Sequence, residues 1–135
     1  MKLTEVMTSD LPTLAPEDSV REAARRMTTR HVAALPVCRD EQLVGIVTDW
    51  DITLAAAGRE NLAEVPVAEV MSPDVVCAGP TASLHDAAEI MGDCRCHHLC
   101  VTEDGRFRGM VHLEVDWMRL GADAPAPMAT FSAAL

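Results

Sequence analysis

Thr48 and Asp51 are the residues of this chain best suited to hold a ligand. They stand in the run Gly45-Ile46-Val47-Thr48-Asp49-Trp50-Asp51. There a β-prone segment feeds straight into a helix expected to start near Thr48 and to run to about Ala57. A helix N-terminus carries unsatisfied N–H groups and the positive end of the helix dipole, which together favour an anion. The Thr48 hydroxyl can donate to a phosphate oxygen. The Asp51 carboxylate, one turn on, is acceptor-only with two oxygens and can take both hydroxyls of a ribose. Ala34, Leu35 and Pro36 are small, apolar walls that leave room for a flat purine. The same Thr-x-x-Asp spacing also makes a capping box, which stabilises the helix start and needs no ligand.

A second group of chemically able side chains lies in Cys94-Arg95-Cys96-His97-His98-Leu99-Cys100. On a regular strand Cys96 and Cys100 are roughly 13 Å apart. Two thiolates on one zinc are at most about 4.6 Å apart. One ion therefore cannot take Cys96, His98 and Cys100 together.

The elements that must position these groups come in two copies. At an offset of 64 residues, and without a gap, Val6-Met7-Thr8 meets Val70-Met71-Ser72 and Pro16-x-x-Ser19 meets Pro80-x-x-Ser83. Ala23-Ala24-x-x-Met27 meets Ala87-Ala88-x-x-Met91, Leu35-x-Val37 meets Leu99-x-Val101, and Gly45-x-Val47 meets Gly109-x-Val111. A repeat of this kind fixes architecture before any local reading. Two copies of a unit that cannot bury its own apolar face imply a pseudo-twofold sandwich with ligand clefts between the halves.

Each copy reads as strand, helix, strand, strand, helix, an α/β (α+β) pattern, and the two copies are expected to pack sheet to sheet. Pro12 to Ala15 is a short extended lead-in. Ser19-x-x-Glu22 is a capping box, followed by an apolar stripe at Val20, Ala23, Ala24 and Met27; Ser83-x-x-Asp86 with Leu84, Ala87, Ala88 and Met91 repeats it. The run His31 to Cys38 and the return strand Leu43 to Val47 flank a turn at Arg39-Asp40-Glu41-Gln42, matched in copy two by Asp104-Gly105. Copy one is assigned to 1–64, copy two to 65–121, and an alanine- and proline-rich tail without clear period to 122–135, which could pack on a partner subunit.

Mapped through the offset, the copies differ where the chemistry is. His112 stands where Thr48 stands, and Val115 where Asp51 stands. Valine cannot bind ribose hydroxyls, so the second cleft is expected to be degenerate or altered. Cys77, Cys100 and His112 occupy the positions of Thr13, Pro36 and Thr48. They are therefore the candidate metal or thiol set of that cleft, against the plainer reading of Cys as a small buried hydrophobe. His31 and its counterpart Arg95 begin the middle strands, where either could reach a phosphate across the pseudo-twofold or simply be solvated. Arg21, Arg25 and Arg26 read as an exposed helix face.

The chain has 135 residues, 49% of them apolar and only 3% aromatic, with a formal net charge of -10. That length suits one domain or two tightly joined halves. The negative field disfavours nucleic acid and anionic membrane surfaces as partners. No apolar run approaches a membrane span. Met1 to Asp10 lacks a hydrophobic signal core, so a cytoplasmic location is expected, with the 5 cysteines as reduced thiols. An enzyme is not indicated: there is no Ser/His/Asp ordering, no Walker-type phosphate loop and no Gly-x-Gly-x-x-Gly.

The Val-Met-Thr opening, Leu35-Pro36-Val37 on the middle strand and Gly45-Ile46-Val47-Thr48-Asp49-Trp50-Asp51-Ile52 after the hairpin together resemble the CBS domain, two of which form a Bateman module. The resemblance covers about Lys2 to Leu120. It implies a non-catalytic regulatory module that needs no cofactor. It also implies an adenosine-containing ligand (AMP, ADP, ATP or S-adenosylmethionine) in a cleft between repeats. By resemblance the motif residues Ile46, Val47, Thr48, Asp49 and Asp51 line that site, and Thr13 and Leu14 present backbone groups to the purine edge. A homodimer is implied as well, with any output passing to a separate effector protein or arising from the dimer itself.

Overall fold

The lead-in to each copy is crossed over to the other copy, and this exchange organises the molecule. The computed structural model describes residues 2–94, 96–114 and 130–132. Leu3, in a one-turn 3-10 helix Leu3–Glu5, is fully buried with Ala87, Met91, Leu99, Val101 and Val111 of copy two. Val67, in the matching turn Val67–Glu69, is buried with Leu14, Val20, Ala23, Leu35 and Val47 of copy one. The backbone repeats the exchange: the Leu3 N–H donates to Ala82 O at 2.9 Å, and the Val67 N–H to Asp18 O at 2.7 Å. Thr8 bridges Met110, and Ser72 bridges Ile46. Each contact maps onto the other through the sequence offset, as a pseudo-twofold requires.

The elements are α1 (Val20–Arg30), β1 (Ala34–Arg39), β2 (Gln42–Thr48), α2 (Asp49–Gly58), β3 (Cys77–Ala78), α3 (Leu84–Cys94), β4 (His98–Glu103), β5 (Arg106–Glu114) and β6 (Thr130–Ser132). At the start of α1 the Ser19 hydroxyl accepts the Glu22 N–H at 3.0 Å. The Glu22 carboxylate turns instead to Arg25 and Arg26. Before α3 the box is complete: the Asp86 N–H donates to Ser83 Oγ, and the Ser83 N–H to Asp86 Oδ2. Their apolar stripes bury Val20, Ala23 and Met27 on α1, and Ala87 and Met91 on α3.

Each hairpin closes through two residues with positive φ, Asp40 and Glu41 at 51° and 69°, Asp104 and Gly105 at 54° and 79°. That geometry matches the right-handed strand twist. The register slips once per hairpin, at Val37/Cys38 and at the equivalent Val101/Thr102. The hairpins join in the order β1-β2-β5-β4-β3 through the single pair Gln42 and Arg106. Behind that contact the two halves face each other across Ala34, Ile46, Cys100 and Met110, all buried.

Glycine is required where the lead-ins cross. A Cβ on Gly109 would stand 2.6 Å from Met7 Sδ, and one on Gly45 would stand 2.5 Å from Met71 Sδ and 3.2 Å from Ser72 O. The repeated Val-Met-Thr/Ser and Gly-x-Val motifs are thus one lock, each half of it supplied by a different copy.

Three expectations change. Part of the 122–135 segment is not a tail, because Thr130–Ser132 pairs antiparallel with His112–Glu114. The β-forming Thr-Phe-Ser triplet was too short to show a period among alanines and prolines. Second, β5 continues to Glu114, so His112 lies inside a strand, whereas Thr48 ends one. Third, Cys94 and Cys96 are joined as a disulfide, leaving Cys38, Cys77 and Cys100 as free thiols. The end of α3 and the loop after it bring their Cα atoms to 5.3 Å, within disulfide reach. Val115 and the expected second helix of copy two lie outside the described residues.

Candidate ligand-binding site

Thr48 is both the last residue of β2 and the N-cap of α2, with extended backbone (φ -109°, ψ 166°). Its N–H donates to Asp51 Oδ2 at 2.9 Å and its hydroxyl lies 3.1 Å from the same oxygen. The Asp51 N–H returns to Thr48 Oγ1 at 3.3 Å. The Asp49 N–H donates to Ala33 O, and the Trp50 N–H to Asp49 Oδ1, each at 2.9 Å. The first-turn donors expected to attract an anion are therefore already occupied. The run Thr-Asp-Trp-Asp carries its own acceptors, and they fill the positions a phosphate would take. Asp51 Oδ1 is left without a hydrogen bond among the described residues, on a partly buried side chain.

The expected walls divide between two faces. Ala34 pairs with Thr48, Leu35 with Val47, and Pro36 with Ile46. Strand alternation then sends Leu35 and Val47 into the core beneath α1, while Ala34 and Ile46 face copy two. Leu35 and Val47 are core residues rather than walls.

Thr13 and Leu14 do not join Thr48. Leu14 bridges Val37 in parallel along the edge of β1 opposite to β2. Two strand spacings and three residues of rise put it roughly 14 Å from Thr48. Its backbone is also committed: Leu14 N–H donates to Pro36 O at 2.9 Å, and Leu14 O accepts from Cys38 N–H at 2.8 Å. The Thr13 carbonyl accepts from Arg26 at 3.0 Å. That contact makes Arg26 a tether for the lead-in, not part of an exposed face.

Thr13 and Leu14 line a different cleft, a cavity of about 560 Å³ shared with Asp18, Arg26, Cys38, Arg106, Phe107 and Arg108. The copy-two residues here were missed because the sequence offset aligns positions within copies and says nothing of contacts between them. Alternation of Arg106 and Arg108 along one strand was the available signal. His31, expected to begin the middle strand, is instead the left-handed C-cap of α1 (φ 55°) with an exposed side chain. A helix must be terminated before β1 can start, and residue 31 does it. Arg95 lies outside the described residues.

In copy two the position equivalent to Thr48 meets a histidine. His98 and His112 are directly paired across β4 and β5, with Nε2 and Nδ1 3.1 Å apart and ring centroids separated by 4.8 Å. Burial, and then the neighbouring His112, push the His98 pKa down to about 4; the Asp49 carboxylate of copy one pulls the other way.

Cys77 neighbours Cys100 on parallel strands, but Cys100 pairs with Met110, and burial raises its pKa. Cys77, Cys100 and His112 do not converge. Among the described residues no group of three or more His, Cys, Asp or Glu is placed to hold a metal ion.

Comparison with known proteins agrees with this architecture. A family model for the CBS domain matches residues 3–58 and 67–114. The CBS domain-containing protein YhcV of Bacillus subtilis (strain 168) is 33% identical over 109 residues, covering 81% of this chain and 78% of the relative. The CBS domain pair of protein MJ0100, solved with 5-methylthioadenosine and S-adenosyl-L-methionine, superposes with a TM-score of 0.75 at 24% identity, covering 83% of this chain and 89% of that one. CBSX2, solved with AMP, gives 0.68 at 25% identity over 81% and 87%. The crossed lead-ins, the doubled hairpins and the matched segments lead to one assignment: this chain belongs to the CBS-domain family and is a tandem CBS pair.

Proposed function

We propose that this pair is a regulatory module that binds an adenosine-containing ligand at the Thr48–Asp51 cap. The observation that carries the reading is the open oxygen of Asp51. One carboxylate oxygen holds the cap, and the other accepts no hydrogen bond among the described residues. A vicinal diol can be taken by that oxygen together with the Thr48 hydroxyl, without unfolding the helix start. Ala34 is paired with Thr48 beside it, and Pro36 and Ile46 form the next pair on the same face of the hairpin. MJ0100 and CBSX2, of the same fold, bind 5-methylthioadenosine with S-adenosyl-L-methionine, and AMP, respectively. Phosphate recognition falls to groups other than the α2 amides, which are occupied. No cofactor and no catalytic residue enters this reading.

Association into a homodimer fits the exposed apolar residues of α2. Trp50 and Leu54, one turn apart, are 64% and 54% exposed. A groove of about 320 Å³ between α1 and α2, lined by Met27, Val32 and Ile52, lies nearby. An effector protein would read the ligand state from such a surface. Among the described residues no helix is long and apolar enough to cross a membrane.

The test is calorimetric titration with AMP, ADP, ATP and S-adenosylmethionine, beside Asp51→Asn and Arg108→Ala. Asparagine keeps an acceptor for the cap and loses the charge. Saturable binding in the parent chain, at least about tenfold weaker in Asp51→Asn and unchanged in Arg108→Ala, is expected. Loss with Arg108→Ala alone would move the ligand to the cleft beside Thr13. A flat trace for all four ligands would reduce Thr48–Asp51 to a helix cap.

A further inference from the structure

Where copy one pairs Ala34 with Thr48, copy two pairs His98 with His112, and the two imidazoles meet. From their geometry we propose a divalent transition-metal site, of the zinc, copper or nickel class, held by His98 and His112. It shares Asp49 with the adenosine reading, and of Cys77, Cys100 and His112 it keeps only His112.

The facing ring nitrogens are 3.1 Å apart. Two imidazoles on one tetrahedral zinc, with Zn–N near 2.0–2.1 Å, place their nitrogens about 3.3 Å apart. A metal therefore enters with a small opening of the pair, not a rearrangement of the sheet. The two residues are registered opposite each other on β4 and β5, so the ladder holds the separation. Both side chains are partly buried.

In the pair as it stands, one facing nitrogen donates its proton and the other accepts. On metal binding both facing nitrogens supply lone pairs, and the donor ring moves its proton to its other nitrogen. No net proton is lost if both rings are neutral. The Asp49 carboxylate of copy one acts electrostatically on His98 and favours a cation there. Imidazole donors with one nearby carboxylate suit the zinc–copper–nickel class over calcium or magnesium, which prefer oxygen. The remaining positions go to water.

The experiment is titration of the full, metal-free chain with cobalt(II), followed by zinc competition. One equivalent should give the visible bands of nitrogen and oxygen ligation without the near-ultraviolet thiolate band. His98→Asn and His112→Asn should each weaken binding by more than about a hundredfold, and Asp49→Asn by about tenfold. His85→Asn, at an exposed residue paired with Glu89, should change nothing. A readout free of substitution is protection of His98 and His112 from acylation by diethyl pyrocarbonate once zinc is bound. A thiolate band, no uptake of either metal, or acylation of both rings unchanged by zinc would each overturn the site.

Discussion

Copy one turns at the end of its return strand, and copy two goes on. In copy one, Thr48 stops β2 and caps α2, and Asp51 closes the cap from one turn inside. In copy two, His112 sits within β5, which continues to Glu114 and takes β6 along its edge. Thr at the first position offers a side-chain acceptor that a helix start needs. His112 spends its ring across the sheet on His98 instead. One fold position thus serves as a polar cap in one half and as an imidazole pair in the other, while the surrounding apolar pattern hardly changes. The lesson is that these clefts diverge by the residue at the strand end, not by the scaffold.

The largest effect expected from breaking the comparison tests the crossing of the lead-ins. Leu3 belongs to copy one by sequence and to copy two by packing. Leu3→Ala should cost about 3 kcal/mol in denaturant unfolding. Hydrogen exchange should then quicken first at amides of α3 and β4 rather than α1 and β1. The opposite pattern would show that the copies are not exchanged.

Next is the lock itself. Gly109→Ala forces Met7 away from β5, and its Cβ as well as its sulfur is close. The cost should be about 2 kcal/mol, with a similar loss for Gly45→Ala, where Ser72 O stands in the way. Chemical denaturation of both variants checks this, and unequal losses would break the pseudo-symmetry.

The histidine pair should make copy two sensitive to acid. His98 has its pKa lowered from 6.5 to about 4 by folding, so the unfolded chain binds a proton that the folded chain refuses. Stability from this group is present in full above pH 6.5 and is lost as pH falls toward about 4. Allowing for partial exposure, the loss should be about 2 kcal/mol. Unfolding of metal-free protein across that window should show it, and His98→Asn should flatten it.

Asp51→Ala removes the reciprocal half of the α2 cap and should cost about 1 kcal/mol. That is separable from ligand binding, because the loss appears without ligand. The smallest effect is a gain. Glu41 holds φ 69° where copy two has Gly105. Glu41→Gly relieves that conformation and gives up an exposed ion pair to Arg106, 3.3 Å long. A net gain of about 0.5 kcal/mol in thermal unfolding is expected.

Much of this was legible in the residues. The 64-residue offset, the serine caps before α1 and α3, both hairpin turns and the Thr48–Asp51 relation are local patterns, set by neighbours within a turn or a strand. The site was less legible. Thr13 and Leu14 align well with a ligand site in sequence, yet β1 lies between them and Thr48. His98 looked like one member of a crowded run, and only strand register gave it His112 as a partner.

The doubled unit, its apolar stripes, its turns and the one capped strand end follow from the residues alone, because hydrogen bonds within a few residues and side-chain periodicity specify them. That each lead-in packs in the opposite half, that Met7 needs Gly109, and that His98 meets His112 came from long-range packing. Those contacts join residues far apart in the chain, and the burial of apolar surface between the halves, not local preference, selects them.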